Sequence, residues 1–245
     1  MRIEITALPD LPEVRPGDDL AAILRAGLER AEIVPGSGDV LVVAQKVVSK
    51  SEGRIVDLAE VTPSPRAEDL AARAQKDSRV VELILRESVE VLRCVPGVIV
   101  VEDRRGLVMA NAGIDASNVA GRDDCVLLLP ENPDASARRL AQALGLAVVI
   151  NDSFGRAWRL GTCGTAIGVA GMPALLDLRG RPDRNGRRLL TSELALADEV
   201  AAAASLAMGQ GDEGRPAIHL RGVPGITGGG SAADLVRPKA KDLFR

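Results

Sequence analysis

Residues 125–150 narrow the fold more than any other stretch. A strand-forming run at 125–129 is followed by a helical pattern over 135–144, which Asp134 begins as its cap and Gly145 ends. A second apolar run at 147–150 comes directly after. Strand, helix, strand in this order is the pattern of a mixed α/β chain. Further strands are expected at 3–8, 39–44, 89–94, 98–101, 107–110 and 217–221, and a strand-like, glycine-rich run at 156–171. Helices are expected after a cap at Asp18, in two pieces over 64–93 separated near Asp77-Ser78, and over 192–207. Three prolines in 9–17 forbid a helix and make a stiff loop. Residues 45–54 read as a polar loop carrying two lysines, 173–178 as a strand, and 183–187 as a turn. No composition shift marks a linker and no segment repeats, so residues 1–245 are expected to form one unit.

Charge limits the partners. Lys plus Arg at 31 against Asp plus Glu at 34 leaves a net charge of -3, so no overall basic field recruits nucleic acid or an anionic membrane. No apolar run approaches the ~20 residues of a spanning helix, and the first residues begin a polar-alternating strand rather than a signal peptide. A cytoplasmic location is expected. Cys94, Cys125 and Cys163 form no Cys-x-x-Cys pair and sit in apolar runs, which points to buried structural thiols. The aromatic residues are Phe154, Trp158 and Phe244, so a flat ligand would be held largely by aliphatic side chains or Arg planes.

Two polar clusters follow strand-forming runs. Asn111-Ala112-Gly113-Ile114-Asp115-Ala116-Ser117-Asn118 comes after residues 107–110, and Asn151-Asp152-Ser153-Phe154-Gly155-Arg156 after 147–150. Strand ends are where α/β proteins place chemistry. Carboxylate, amide and hydroxyl oxygens suit Mg²⁺ or Mn²⁺ beside a phosphate. The same residues also make polar turns that cap their own backbone.

Four more groups bear on chemistry. The Leu11-Pro12-Glu13-Val14 loop is rigid enough to hold backbone against a ligand, or serves as a connector. Lysines in 45–50 stand at a strand end, where an ammonium meets phosphate. Residues 208–214 have the composition of a phosphate loop without the Gly-Lys-Ser/Thr ending, and no Gly-x-Gly-x-x-Gly follows the first strand, so neither a P-loop nor a Rossmann enzyme is expected. Arg156, Arg159 and Arg179 are suited to carboxylate or phosphate forks, or balance nearby acids. His219, the sole histidine, reads as a satisfied strand residue, which leaves chemistry driven by metals and positioning.

Taken together, Asn111 to Asn118, Asp152-Ser-Phe-Gly-Arg156, Leu11-Pro-Glu-Val14, Val48-Ser-Lys50-Ser-Glu-Gly53, Asp198-Glu199 and Met208-Gly-Gln-Gly-Asp-Glu-Gly214 resemble the motifs of the coenzyme F420-0 gamma-glutamyl ligase family. The resemblance runs in order to Asp234-Leu-Val-Arg-Pro238 and Asp242-Leu-Phe-Arg245, nearly the whole chain. It implies the family's own mixed α/β fold and an intertwined homodimer. It further implies a GTP-dependent ligase that adds L-glutamate to the lactyl carboxylate of F420-0, and then γ-linked glutamates, through an acyl phosphate.

By the same resemblance Asp115, Asp152, Ser153 and Gln210 are metal ligands for two divalent ions, Mg²⁺ or Mn²⁺, with K⁺ as a further cation. Ser153 stands where a threonine is usual, and the hydroxyl is retained. Nucleotide contacts fall to Leu11, Pro12, Glu13, Val14, Gln45, Lys46, Lys50, Asn118, and to Met208, Gly209, Gln210, Gly211, Asp212, Glu213, Gly214 and Arg215. Arg156 and Arg159 are candidates for a substrate carboxylate. Lys239-Ala240-Lys241 departs from a tail that is more usually acidic. A flavin reductase domain fused in some relatives is not expected in this chain. A metal-dependent nucleotide phosphohydrolase and a non-catalytic nucleotide-binding regulator are the other readings of the same residues.

Overall fold

The structure, a computed structural model, describes residues 1–115 and 124–243. Its elements in order are β1 (Glu4–Ala7), α1 (Leu20–Arg30), β2 (Val40–Ala44), α2 (Gln45–Ser51), β3 (Ile55–Asp57), α3 (Pro65–Ala74) and α4 (Ser78–Arg86). Then come β4 (Ser88–Val95), β5 (Val98–Asp103), β6 (Val108–Ala110), β7 (Cys125–Leu127), α5 (Pro133–Leu144), β8 (Ala147–Arg156) and β9 (Arg159–Ala170). The chain closes with β10 (Leu176–Asp177), β11 (Glu193–Leu194), α6 (Leu196–Met208) and β12 (Ala217–Arg221). The mixed α/β expectation holds.

The larger sheet runs β1-β12-β2-β8-β9. β2 and β8 are parallel neighbours, and the other pairs are antiparallel. Both faces of β2 and of the first half of β8 are covered, which is why these two stretches read as unbroken apolar runs. Successive side chains of a strand point to opposite faces. Leu41, Val43, Val148 and Ile150 accordingly pack with Leu20, Leu24 and Leu28 of α1 and Leu140 of α5. Val40, Val42 and Val149 pack on the other face with Val200, Ala201 and Ala204 of α6. The approach of α6 is close: a Cβ on Gly164 of β9 would stand 2.5 Å from Ala201 O.

A smaller lobe is built on β4-β5-β6, with α3 and α4 covering Ile99 and Val101. Ser64 caps α3 with Pro65 at its first position, and Asp77 caps α4. β3 and β7 form a two-stranded ribbon between lobe and sheet, over Leu58, Val61, Leu83 and Val126.

Several local expectations are corrected. Asp18 accepts from Arg15 N at 2.8 Å and closes the preceding turn, so Asp19 caps α1 through Ala22 N at 3.0 Å. Residues 45–51 are helical rather than looped, because Gln45, Val48 and Ser49 bury one face of α2. Asn132 caps α5, and the Asp134 carboxylate accepts instead from Val169 N and Ala232 N, each at 2.8 Å. α6 begins at Leu196 because Glu193 and Leu194 pair with Leu176 and Asp177, the only paired part of the strand expected at 173–178 among the described residues. Cys125 is buried, whereas Cys94 and Cys163 are only partly so.

His219 is buried in β12, its Nε2 2.9 Å from Asp39 Oδ2 without the alignment of a hydrogen bond. Burial would raise the Asp39 carboxyl, but the Arg221 fork at 2.6 Å, the Gly36 N–H and His219 outweigh it and hold the group at about 2. This cluster sits where β2 begins, at the opposite end from α2.

Candidate functional site

The β2–α2 junction starts the site. α2 follows directly on β2, and its Lys46 and Lys50 are four residues apart, so they share a helix face. Lys46 Nζ is 2.6 Å from Asp115 Oδ2, and Lys50 Nζ is 3.9 Å from Glu13 Oε1. The 11–14 loop is thereby brought to α2, with Val14 buried and Leu11 packed on the core; Gly17 N donates to Ser51 O at 2.9 Å. Gln45 faces inward: it is 3 % exposed and its Oε1 accepts from Ser49 Oγ at 3.0 Å.

Asp115 arrives from the smaller lobe. Asn111, Ala112 and Gly113 all have positive φ, at 54°, 54° and 68°, which turns the chain sharply after β6. Asn111 Oδ1 holds that turn by accepting from Ile99 N at 3.1 Å. Asp115 then bridges Leu127, its N–H donating at 3.0 Å and its carbonyl accepting at 2.8 Å. The expectation on Asn118 lies outside the described residues.

Asp152 arrives from the sheet. The cluster expected at a strand end lies within β8, which runs on to Arg156 because Asn151 to Gly155 pair with Ala166 to Thr162 across a register shift. Alternation then divides the cluster. Asp152 lies near Lys46 and Asp115. Ser153 points the other way, its hydroxyl donating to Gln210 Oε1 at 2.9 Å. Asn151 shares the Ser153 face: it is buried, and its Nδ2 donates to Ser205 Oγ at 3.2 Å. Its Oδ1 meets no donor among the described residues. The four expected ligands therefore form two pairs on either side of one strand.

Desolvation raises the Asp152 carboxyl to about 6; the Ser153 N–H and Lys46 pull it down while the Asp115 carboxylate pushes it further up. Two carboxylates and one ammonium so placed have a deficit of positive charge that a hard cation would fill. Among the described residues no group of three or more His, Cys, Asp or Glu exists to cage a metal. A centre here would keep waters or take phosphate oxygens, which fits Mg²⁺ or Mn²⁺.

The 208–215 loop leaves α6 at Gly209, whose φ is +77°. Glu213 folds back over it: its Oε2 accepts from Gly211 N at 2.8 Å, and hydrogen bonds from the loop backbone lower its pKa. Arg215 donates to Ala207 O at 3.4 Å. The arginines separate. Arg179 is balanced by Asp177 at 2.7 Å and Glu193 at 3.3 Å, away from the other two. Arg156 and Arg159 face each other at the β8–β9 hairpin tip. Four strand steps, about 13 Å, separate them from Asp152. Sequence reasoning placed Asn151 in the cluster without saying which way its side chain faces, missed Ser205 as a site-wall residue and gave Asp198 no structural role. Desolvation raises the Asp198 carboxyl, which accepts from Ala166 N at 2.9 Å where β9 shifts register. Strand alternation through 151–153 was the signal available for Asn151.

The chain matches the family model described as F420-0:Gamma-glutamyl ligase over residues 10–222. A protein from Methanothermobacter thermautotrophicus named coenzyme F420:L-glutamate ligase is 45% identical, with 100% of both chains covered. One of the same name from Methanopyrus kandleri is 44% identical over 99% of this chain and 98% of its own. Another, from Natronomonas pharaonis, is 47% identical over 89% of this chain and 86% of its own.

Proposed function

This chain belongs to the F420-0:gamma-glutamyl ligase family, and from that premise we propose that it is a GTP-dependent ligase joining L-glutamate to the lactyl carboxylate of F420-0, and then adding γ-linked glutamates. The observation that carries the reading is the meeting of Asp152 from the sheet, Asp115 from the smaller lobe and Lys46 from α2, with Ser153 and Gln210 paired on the far side of the same strand.

Asp115 and Asp152 would hold one divalent ion and Ser153 with Gln210 would contribute to a second, with K⁺ as a further cation. Such ions neutralise charge on phosphate oxygens. Lys46 and Lys50 are set to meet the phosphates of the nucleotide, and the 11–14 and 208–215 loops to enclose it. Transfer of the terminal phosphoryl group of GTP to a carboxylate oxygen releases GDP and leaves an acyl phosphate. The glutamate amine attacks the acyl carbon, phosphate departs, the amine loses a proton and an amide forms. Enclosure by the loops serves this step by keeping water from the acyl phosphate. The enzyme would act as a homodimer in the cytoplasm; Leu190 and Leu206, 82% and 87% exposed, are apolar surface that a second copy could cover.

The test is incubation with F420-0, GTP, L-glutamate and Mn²⁺, following deazaflavin mass and GDP together, with glutamate omitted as control. Mass gains of whole glutamyl units matched to GDP are expected. GTP loss without glutamate and without mass gain would replace the ligase by a phosphohydrolase, and nucleotide binding without turnover would leave a regulator.

A further inference from the structure

One buried polar atom on β8 has no partner. Ile150 packs on the α1 and α5 side of the sheet and Val149 on the α6 side, so alternation puts Asn151 and Ser153 on the α6 side as well. Contacts agree. Asn151 Nδ2 donates to Ser205 Oγ at 3.2 Å and to Met208 Sδ at 3.6 Å, while Ser153 Oγ donates to Gln210 Oε1 at 2.9 Å. Asn151 is 3% exposed, and with its amide nitrogen committed to α6 its Oδ1 meets no donor among the described residues.

An unsatisfied buried acceptor costs stability and needs a reason. Packing does not supply one. Val149, two residues earlier on the same face, carries the apolar side chain that burial alone would select. The neighbours of Asn151 do supply one. Met208, which its amide touches, ends α6, and Gln210 follows two residues on. Ser153, two residues along the strand, holds that same Gln210. Asn151 thus adjoins the Ser153–Gln210 pair both along β8 and through the end of α6. An amide oxygen that accepts no hydrogen bond keeps both lone pairs for a cation, and hard cations take amide and hydroxyl oxygens. Asn, Ser and Gln carry no charge, so a divalent ion held by them draws its compensation from phosphate oxygens.

We propose that Asn151, through Oδ1, is a third protein ligand of the second cation, alongside Ser153 and Gln210. This ligand rests on the two-ion reading above and adds to it a residue that the resemblance does not supply.

The experiment titrates Mn²⁺ into the full chain with saturating GDP and counts bound ions by electron paramagnetic resonance, for wild type, Asn151→Leu and Asn151→Asp. Melting of each without metal or GDP is recorded alongside. Leu matches Asn in size but lacks the oxygen, and Asp keeps an oxygen. Wild type should bind two ions. Asn151→Leu should weaken the second roughly tenfold or more, leave the first unchanged and melt near wild type when metal-free. Asn151→Asp should hold the second ion at least as tightly as wild type. Second-ion affinity that Asn151→Leu leaves intact would overturn the ligand and spare the two-ion reading. If Asn151→Leu does not fold, Asn151→Asp decides, and weaker second-ion binding there would overturn the ligand. A single ion in wild type with GDP bound would overturn the two-ion reading and the ligand with it.

Discussion

The two aspartates of the site come from regions stabilised in different ways. Asp152 rides on a strand that has neighbours on both sides and apolar cover on both faces of its buried half. Asp115 ends a left-handed turn on the smaller lobe, which joins the rest of the protein through apolar contacts of Met109 and Leu83 and also through ion pairs. At that junction Arg54 reaches Glu87 at 3.1 Å and Leu129 O at 2.9 Å, while Arg105 holds Asp103 at 2.6 Å and Pro130 O at 3.0 Å. The tail adds Lys239, 3.2 Å from Glu90 and 3.0 Å from Glu102. One half of the site is thus set by burial, which is insensitive to direction, and the other by burial together with hydrogen-bonded ion pairs, which fix orientation. Geometry at Asp115 depends on polar groups far from the chemistry.

The largest expected effect breaks the pairing itself. Asp152→Asn or Asp115→Asn should lower ligase turnover on the order of a thousandfold while the melting temperature stays near that of wild type, read by mass-resolved turnover and calorimetry. Next comes the sheet half alone. Arg221→Ala takes the fork from the buried Asp39 carboxylate, which should lower stability measurably, and should barely alter turnover of the folded protein.

The pH dependence of the sheet half has a definite sign. Asp39 is held at about 2, below its ordinary 3.8, so its stabilisation is fully present above that ordinary value and is lost as pH falls through about 2. Denaturant unfolding of wild type and Arg221→Ala should therefore differ most above pH 4 and converge in acid.

The third effect tests the junction. Glu87→Gln should destabilise by about 1–2 kcal/mol and also reduce turnover, because the lobe carrying Asp115 loosens; denaturation and kinetics on one sample check both. Lys239→Ala is the smallest. Its exposed bridges should contribute little, and unchanged turnover there would show that the junction rather than the tail orients the lobe.

How legible this was in the sequence follows from the same contrast. Runs such as 40–44 and 147–150 announced the sheet because burial on both faces writes itself as unbroken Val, Leu and Ile. α2 was hidden because Val47, Val48 and two serines are poor helix formers, and burial of one face decides it instead. The continuation of β8 through Asn151-Asp152-Ser153 was hidden because Asn, Asp and Gly are poor strand formers, and β9 supplies the ladder that carries them. Asp134 and Asp198 were misread or passed over because their acceptors serve backbone donors 35 and 32 residues away, which no local pattern encodes. Asp115, Asp152, Ser153 and Gln210 were singled out through ordered motifs. Their division into two pairs was not, since it depends on which face of β8 each side chain takes.

The most direct test of the two-half account is Mn²⁺ binding by electron paramagnetic resonance in the presence of GDP, for wild type, Asp115→Asn, Asp152→Asn and Glu87→Gln. The account predicts that each aspartate variant loses affinity at least tenfold and that Glu87→Gln loses a smaller, measurable part. Equal affinity in wild type and both aspartate variants would show that the halves do not build a common cation centre, and would contradict it.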